Sequence, residues 1–138
     1  MRPAVVPPLA LLILLAPSAV QARKPDPAKA DARMQQSLMK LDPAARAAQL
    51  CDLGGLKKLG RDAKWARTDR VVIDALSTPK IEGPRISGAG GALRSQGRWY
   101  RFDFTCTLSA EQTAVTGFDY RVGTEIPEAQ WSDLGLWE

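Results

Sequence analysis

Residues 98–108 read RWYRFDFTCTL and residues 114–122 read AVTGFDYRV. In the first stretch Tyr100, Phe102, Phe104, Cys106 and Leu108 share one parity, while Trp99, Arg101, Asp103, Thr105 and Thr107 share the other. Successive side chains of an extended chain point to opposite faces, so this alternation predicts a strand buried on one side. The second stretch repeats it with Phe118, Tyr120 and Val122 on the apolar side. The polar Ser109–Thr113 segment between them predicts a hairpin. Setting Phe104 against Phe118 brings Phe102 to Tyr120 and Tyr100 to Val122, so the large rings meet on one side. On the outer side the same register sets Asp103 against Asp119 and Arg101 against Arg121, with a diagonal arginine for each aspartate. A slip of one residue would bury those charges, so the pattern is expected to fix this register.

Further strands lie upstream. Val71-Val72-Ile73 is β-branched and predicts a strand to about Leu76. Ser77–Pro84 is rich in turn residues, and Arg85–Arg94 (RISGAGGALR) reads as a glycine-rich strand across which Trp99 or Tyr100 could lie. Before these the period changes. Met34, Leu38 and Leu41 recur at helical spacing and predict a short helix over Asp31–Lys40. Asp42-Pro43 is a helix start, with a capping carboxylate and a proline where a missing N–H is harmless. Ala47, Leu50, Cys51 and Gly54 then form one stripe, which turns Cys51 toward the core. Gly54-Gly55 should interrupt this helix, leaving Leu56 and Leu59 to a further short turn ending near Gly60. Downstream, Ile126-Pro127 opens a tail of about one helical turn, and Trp131 should lie against the sheet and close the core. The sum is an α+β fold, with two or three short N-terminal helices packed on an antiparallel sheet of about four strands.

The chain begins with one basic residue, Arg2, then an apolar run from Ala4 to Ala16, then the small and turn-prone Pro17-Ser18-Ala19. That order is a secretory signal, and Val20 and Ala22 fit its small-residue cleavage positions. The run is short against the roughly 20 residues of a membrane span and holds Pro7, Pro8 and Pro17. The expected organisation is a signal peptide over residues 1–22, a charged flexible leader over residues 23–33 and one small domain over residues 34–138. Membrane attachment would follow only from an uncleaved signal. The expected place is the periplasm or the outside of the cell.

Charge is uneven along the expected mature chain. Lys57–Arg101 holds 11 basic and four acidic residues, and Phe102–Glu138 holds one basic and seven acidic. The two segments either neutralise each other within the fold or leave a basic patch for an anionic envelope component or envelope protein. Nucleic acid is not expected, since no recognition motif is present. There is no histidine, which removes the commonest general base and metal ligand together. Neither a metal nor a cofactor is expected. Cys51 and Cys106 are the only cysteines, and in an oxidising compartment they should be joined.

Three clusters carry the candidate chemistry. Asp103 with Asp119 is a pair of carboxylates, the minimum for glycoside hydrolysis, although flanking arginines lower rather than raise an acid's pKa. Ser87–Gly91 is glycine-rich but lacks the spacing of a phosphate loop or dinucleotide site. Trp99 beside Arg101 on the outer face is a binding candidate, because exposed tryptophan and arginine anchor interfaces. The expected binding surface is Trp99, Arg101, Arg121, Asp103 and Asp119, unless the leader helix or tail covers the tryptophan.

Four segments in order resemble the bacterial family called domain of unknown function 930. They are Leu41-Asp42-Pro43 with Gln49-Leu50-Cys51-Asp52; Arg70-Val71-Val72; Gly90-Gly91-Ala92 leading to Trp99-Tyr100-Arg101-Phe102 and Phe104-Thr105-Cys106; and Phe118-Asp119-Tyr120 with Gly123, Ile126-Pro127 and Trp131. The resemblance spans about Lys40 to Trp137 and implies an exported envelope domain in which both cysteines belong to the pattern. It assigns no catalytic residue. The expected role is a non-catalytic periplasmic interaction module, with Trp99, Arg101, Arg121 and the basic Lys57–Arg98 segment as its surface. The alternatives are a small inhibitor of an envelope-directed enzyme, acting through the Ser109–Thr113 loop, and a glycan hydrolase using Asp103 and Asp119.

Overall fold

The computed structural model describes residues 23–138, and the signal segment read over residues 1–22 lies outside them. Helix α1 (Pro27–Met39) begins inside the stretch read as a leader. The cause is a cap: Asp26 accepts the Ala28 N–H at 3.1 Å, and Pro27 occupies the first turn. Apolar periodicity starts only at Met34, so it locates the packed end of this helix and not its beginning.

Helix α2 (Pro43–Leu59) starts as its sequence indicates, with Asp42 accepting the N–H groups of Ala44 and Ala45. It does not break at Gly54-Gly55. A Cβ on Gly54 would stand 2.9 Å from Val115 Cγ2, and one on Gly55 would stand 2.8 Å from Phe118 Cζ. The glycines let the helix backbone press onto the sheet. That contact offsets their intrinsic helix penalty of about 1 kcal/mol each.

Five strands follow: β1 (Thr68–Val72), β2 (Lys80–Glu82), β3 (Arg85–Ser95), β4 (Arg98–Leu108) and β5 (Val115–Glu125). All pairings are antiparallel, in the order β1-β3-β4-β5, with β2 on the far end of β3. Strand β2 lies inside the stretch read as turns, where Gly83 with φ of +59° folds it back on β3. Gln96 and Gly97, both at positive φ, make the two-residue turn from β3 to β4, whose twist matches that of the flanking strands.

The faces of β4 and β5 are as the alternation indicates, but the register differs by two residues. Phe104 pairs with Tyr120, Phe102 with Val122 and Cys106 with Phe118. On the outer side Asp103 pairs with Arg121 and Thr105 with Asp119, so the two aspartates do not face each other. A two-residue slip keeps every side chain on its own face, so alternation excludes odd slips and leaves even ones open. The observed register sets opposite charges across the ladder.

The helices cover one face of the sheet. Leu50, Cys51, Leu59, Ile73, Phe102, Phe104 and Phe118 are among the residues of that core, and Cys51 of α2 is bonded to Cys106 of β4 across a Cα separation of 5.9 Å. The opposite face carries a second, smaller core of Ala92, Trp99, Ile126, Trp131 and Leu136. The tail builds it. A 3-10 turn (Glu128–Gln130) folds the chain back, Trp131 Nε1 donates to Ile126 O, and Trp99 Nε1 donates to Trp137 O at 2.8 Å. Trp131 does lie against the sheet, where it closes this second core.

Candidate functional site

Trp99 is fully buried, so the expected surface loses its tryptophan. It does occupy the face opposite Phe102, as parity requires. The tail covers it, and Trp137 packs edge-on at 5.6 Å between ring centres. Arg94 lies over the same ring, is itself buried, and grips Asp69 through Nε and Nη2 at 2.9 and 2.7 Å. These contacts fasten the tail to β4 and β1 to β3, and the aromatic side chain left accessible there is the half-exposed Trp137 of the tail, not Trp99.

The other four expected residues lie on or beside the uncovered part of that face. Arg101, Asp119 and Arg121 are exposed and Asp103 is half-buried. Arg121 Nη2 donates to Asp103 Oδ2 at 2.6 Å. Asp103, Thr105, Asp119 and Arg121 line a shallow depression of about 280 Å³. The ion pair satisfies Asp103, and the register leaves Asp119 diagonal to it.

The glycine-rich stretch is a bulged segment of β3, with one extra residue between Gly88 and Gly91. Phe102 and Phe104 pack on Gly91 and Gly88, and Ser77 packs on Gly90. The rings that fill the glycine hollows are thus Phe102 and Phe104, not Trp99 or Tyr100. The Ser109–Thr113 loop is tied internally, with Ser109 Oγ accepting the N–H groups of Thr113 and Ala114.

The cations converge elsewhere. Lys57 and Lys58 close the last turn of α2, Arg61 follows one turn on, and all three are exposed. With Gly54, Val115, Gly117 and Phe118 they line a trough of about 250 Å³ between α2 and β5. Lys58 and Arg61 continue into a second hollow of about 310 Å³ with Asp62 and Tyr120. Asp62, the one carboxylate along this seam, accepts the Tyr120 hydroxyl at 2.6 Å and the Lys64 N–H at 2.9 Å. The Tyr120 hydrogen bond is the main cause that holds its carboxyl below the ordinary range, while burial and then that bond push Tyr120 up to about 12. Among the described residues the ion pairs are Lys80–Glu82, Arg94–Asp69, Arg98–Glu125 and Arg121–Asp103. None uses Lys57, Lys58 or Arg61. Only Arg98–Glu125 joins the basic segment to the acidic one, so the two segments do not neutralise each other wholesale.

Two further features lie on the helical side. A groove of about 600 Å³ between α1 and α2 is lined by Met34, Leu38, Leu41, Leu53 and Asp74, among others. Nearby, half-buried Asp52 of α2 accepts the N–H of Ile73 at 2.9 Å. Burial pushes its carboxyl up to about 7 against the pull of that hydrogen bond, and the charge of Asp74 adds to the rise. No helix among the described residues is long and apolar enough to cross a membrane.

The signal that marks the seam is present in the sequence. Lys57 and Lys58 follow two glycines on one helix, Arg61 stands just past its end, and glycine pairs of that kind bring a helix backbone against its neighbour. Reading Gly54-Gly55 as a break hides the adjacency.

The fold and its seam define a small disulfide-tied α+β domain, with two helices on one face of a five-stranded antiparallel sheet and a tail sealing part of the other. The family model for Domain of Unknown Function (DUF930) matches residues 38–136, and the chain belongs to that family. No curated protein and no solved structure matches the chain.

Proposed function

We propose that this protein is an exported, non-catalytic interaction module that binds an anionic envelope component or an acidic envelope protein through the seam between α2 and β5. The observation that carries the reading is the convergence of Lys57, Lys58 and Arg61 on one trough with no ion-pair partner among the described residues. Two lysines in the last turn also suit the negative end of the helix dipole. Arg61 lies past the helix, so the cluster exceeds what the helix itself needs. Cations in excess over the one carboxylate of the seam, Asp62, raise the local concentration of anions along this concave surface. The sequence pattern of residues 1–22 supports export, and the disulfide fits an oxidising compartment.

The test compares the purified protein with its Lys57→Glu/Lys58→Glu variant. The probes are an acidic peptide, a sulfated polysaccharide and vesicles containing anionic lipid. Binding that weakens with salt and is lost on charge reversal is expected for at least one probe. Binding that survives charge reversal would remove the seam from this reading.

A further inference from the structure

Resting on that reading, we infer that the open edge of β5 takes up an extended acidic segment of a partner protein as an added strand of the sheet. Strand β5 ends the sheet order and has a strand neighbour, β4, on one side only. No loop or cap hydrogen bond among the described residues engages the backbone of residues 116–125. Alternate residues along this edge therefore present N–H and C=O groups without a protein partner. Such a row is a template for another extended chain.

The edge is regular over a defined window. One-residue irregularities fall beside Thr116 and at Gly123-Thr124, and between them residues 117–122 keep an unbroken register with β4. Bulges often blunt a sheet edge. Here they bracket the regular stretch and leave its middle open, a span of roughly 20 Å at the rise of an antiparallel strand.

Charge selects the occupant. The trough with Lys57, Lys58 and Arg61 runs beside Val115, Gly117 and Phe118, and its continuation reaches Tyr120. A strand added at this edge points alternate side chains toward those three cations. Its other side chains fall on the face that carries Asp119, opposite Thr105, and Arg121, whose charge Asp103 already meets. The fitting segment thus has acidic residues at every second position and none between them. A polysaccharide or lipid headgroup could meet the cations but would leave the backbone row unused, so the open ladder favours a polypeptide.

The experiment uses a capped peptide alternating glutamate and valine, about eight residues long to match a typical strand. It is compared with the same peptide N-methylated at alternate backbone nitrogens, and with a sulfated polysaccharide and anionic vesicles. Hydrogen exchange of the protein is followed with and without each probe. The peptide is expected to slow exchange at alternate amides within residues 117–122, and methylation along the pairing edge should weaken binding by about tenfold or more. Lys57→Glu/Lys58→Glu should weaken it comparably, with folding checked by thermal unfolding. The methylated peptide tests the unaltered protein, so its result stands even if that variant unfolds.

Peptide binding that leaves the β5 amides unprotected, or that ignores methylation, overturns strand addition while the anionic-partner reading stands. Binding of the polysaccharide or vesicles without binding of the peptide has the same consequence. If none of the probes binds, both readings fall.

Discussion

Gly55 of α2 and Phe118 of β5 occupy adjoining space so closely that a Cβ on the glycine would stand 2.8 Å from the ring's Cζ and 3.0 Å from Val71 Cγ1. Phe118 cannot readily move aside, because it is buried and stacks on Phe104. Alanine would gain about 1 kcal/mol of helix propensity at this position. Overpacking of a tight core costs roughly 1–3 kcal/mol. Gly55→Ala is therefore expected to be net destabilising, by up to about 2 kcal/mol in urea unfolding. Gly54→Ala meets the stiff, half-buried Val115 at 2.9–3.2 Å and should also be destabilising, though less than Gly55→Ala because Val115 is not locked in the core as Phe118 is. A Gly55→Ala protein as stable as the parent would mean that α2 does not press on the sheet at Phe118.

Trp99 is the keystone of the tail-side core. Trp99→Ala should cost roughly 3–5 kcal/mol, the range for deleting a buried aromatic side chain. Trp99→Phe keeps a ring but loses the donor to Trp137 O, and should cost less. Removing residues 131–138 should shift Trp99 fluorescence to the red as water reaches the indole. A Trp99→Ala protein as stable as the parent would show that the tail does not seal this face.

The Cys51–Cys106 bond closes a loop spanning 55 residues of sequence separation. The chain-entropy model assigns such a closure about 4 kcal/mol, gained by restricting the unfolded chain. Replacing both cysteines by alanine should lower stability by an amount of that order, measured as the shift in denaturant midpoint. The effect should appear equally in the parent protein after reduction. A change below about 1 kcal/mol would mean that the unfolded chain is already compact near these positions.

Two carboxylates should give opposite slopes of stability against pH. Asp52 is pushed up from 3.8 to about 7 by burial, so between those values the folded state keeps a proton that the unfolded state has released. Stability attributable to Asp52 therefore falls as pH rises from about 4 to about 7. Asp52→Asn should flatten that limb and stabilise the protein above neutrality by roughly 2–4 kcal/mol. Asp69 is shifted the other way, held low chiefly by its hydrogen bond to Arg94. Its contribution is present above the ordinary carboxylate range and disappears as pH falls through its folded value. Asp69→Asn should therefore flatten the acid limb. Denaturant midpoints between about pH 3 and about pH 8 separate the two.

Some of this architecture can be read directly from residue order. The parity of β4 and β5 is legible because burial of Phe102, Phe104 and Phe118 forces period two, and the Asp42-Pro43 start is legible because capping is local. The β4–β5 register is not, since a shift of two residues preserves every face, and the choice rests on cross-strand charges and the bulges at either end of β5. Helix continuity through Gly54-Gly55 is hidden because its cause, Val115 and Phe118, lies some sixty residues away in sequence. Trp99 misleads for the same reason. Alternation tells which face it takes, but only the fold-back of Trp131 and Leu136 tells that this face is covered. Of the expected site residues, Arg101, Arg121, Asp103 and Asp119 remain accessible, while the cation cluster on α2 comes into view only when β5 is set beside it.

Gly90–Ser95 is buried without alternation, because the core with its phenylalanines crowds one side of β3 while the tail closes the other. Where a strand alternates between buried and exposed positions, an evolving gene has the exposed codons to vary. Along these six positions each codon is under constraint, and the tolerated vocabulary shrinks to small residues, one leucine, a serine and an arginine that brings its own counter-ion.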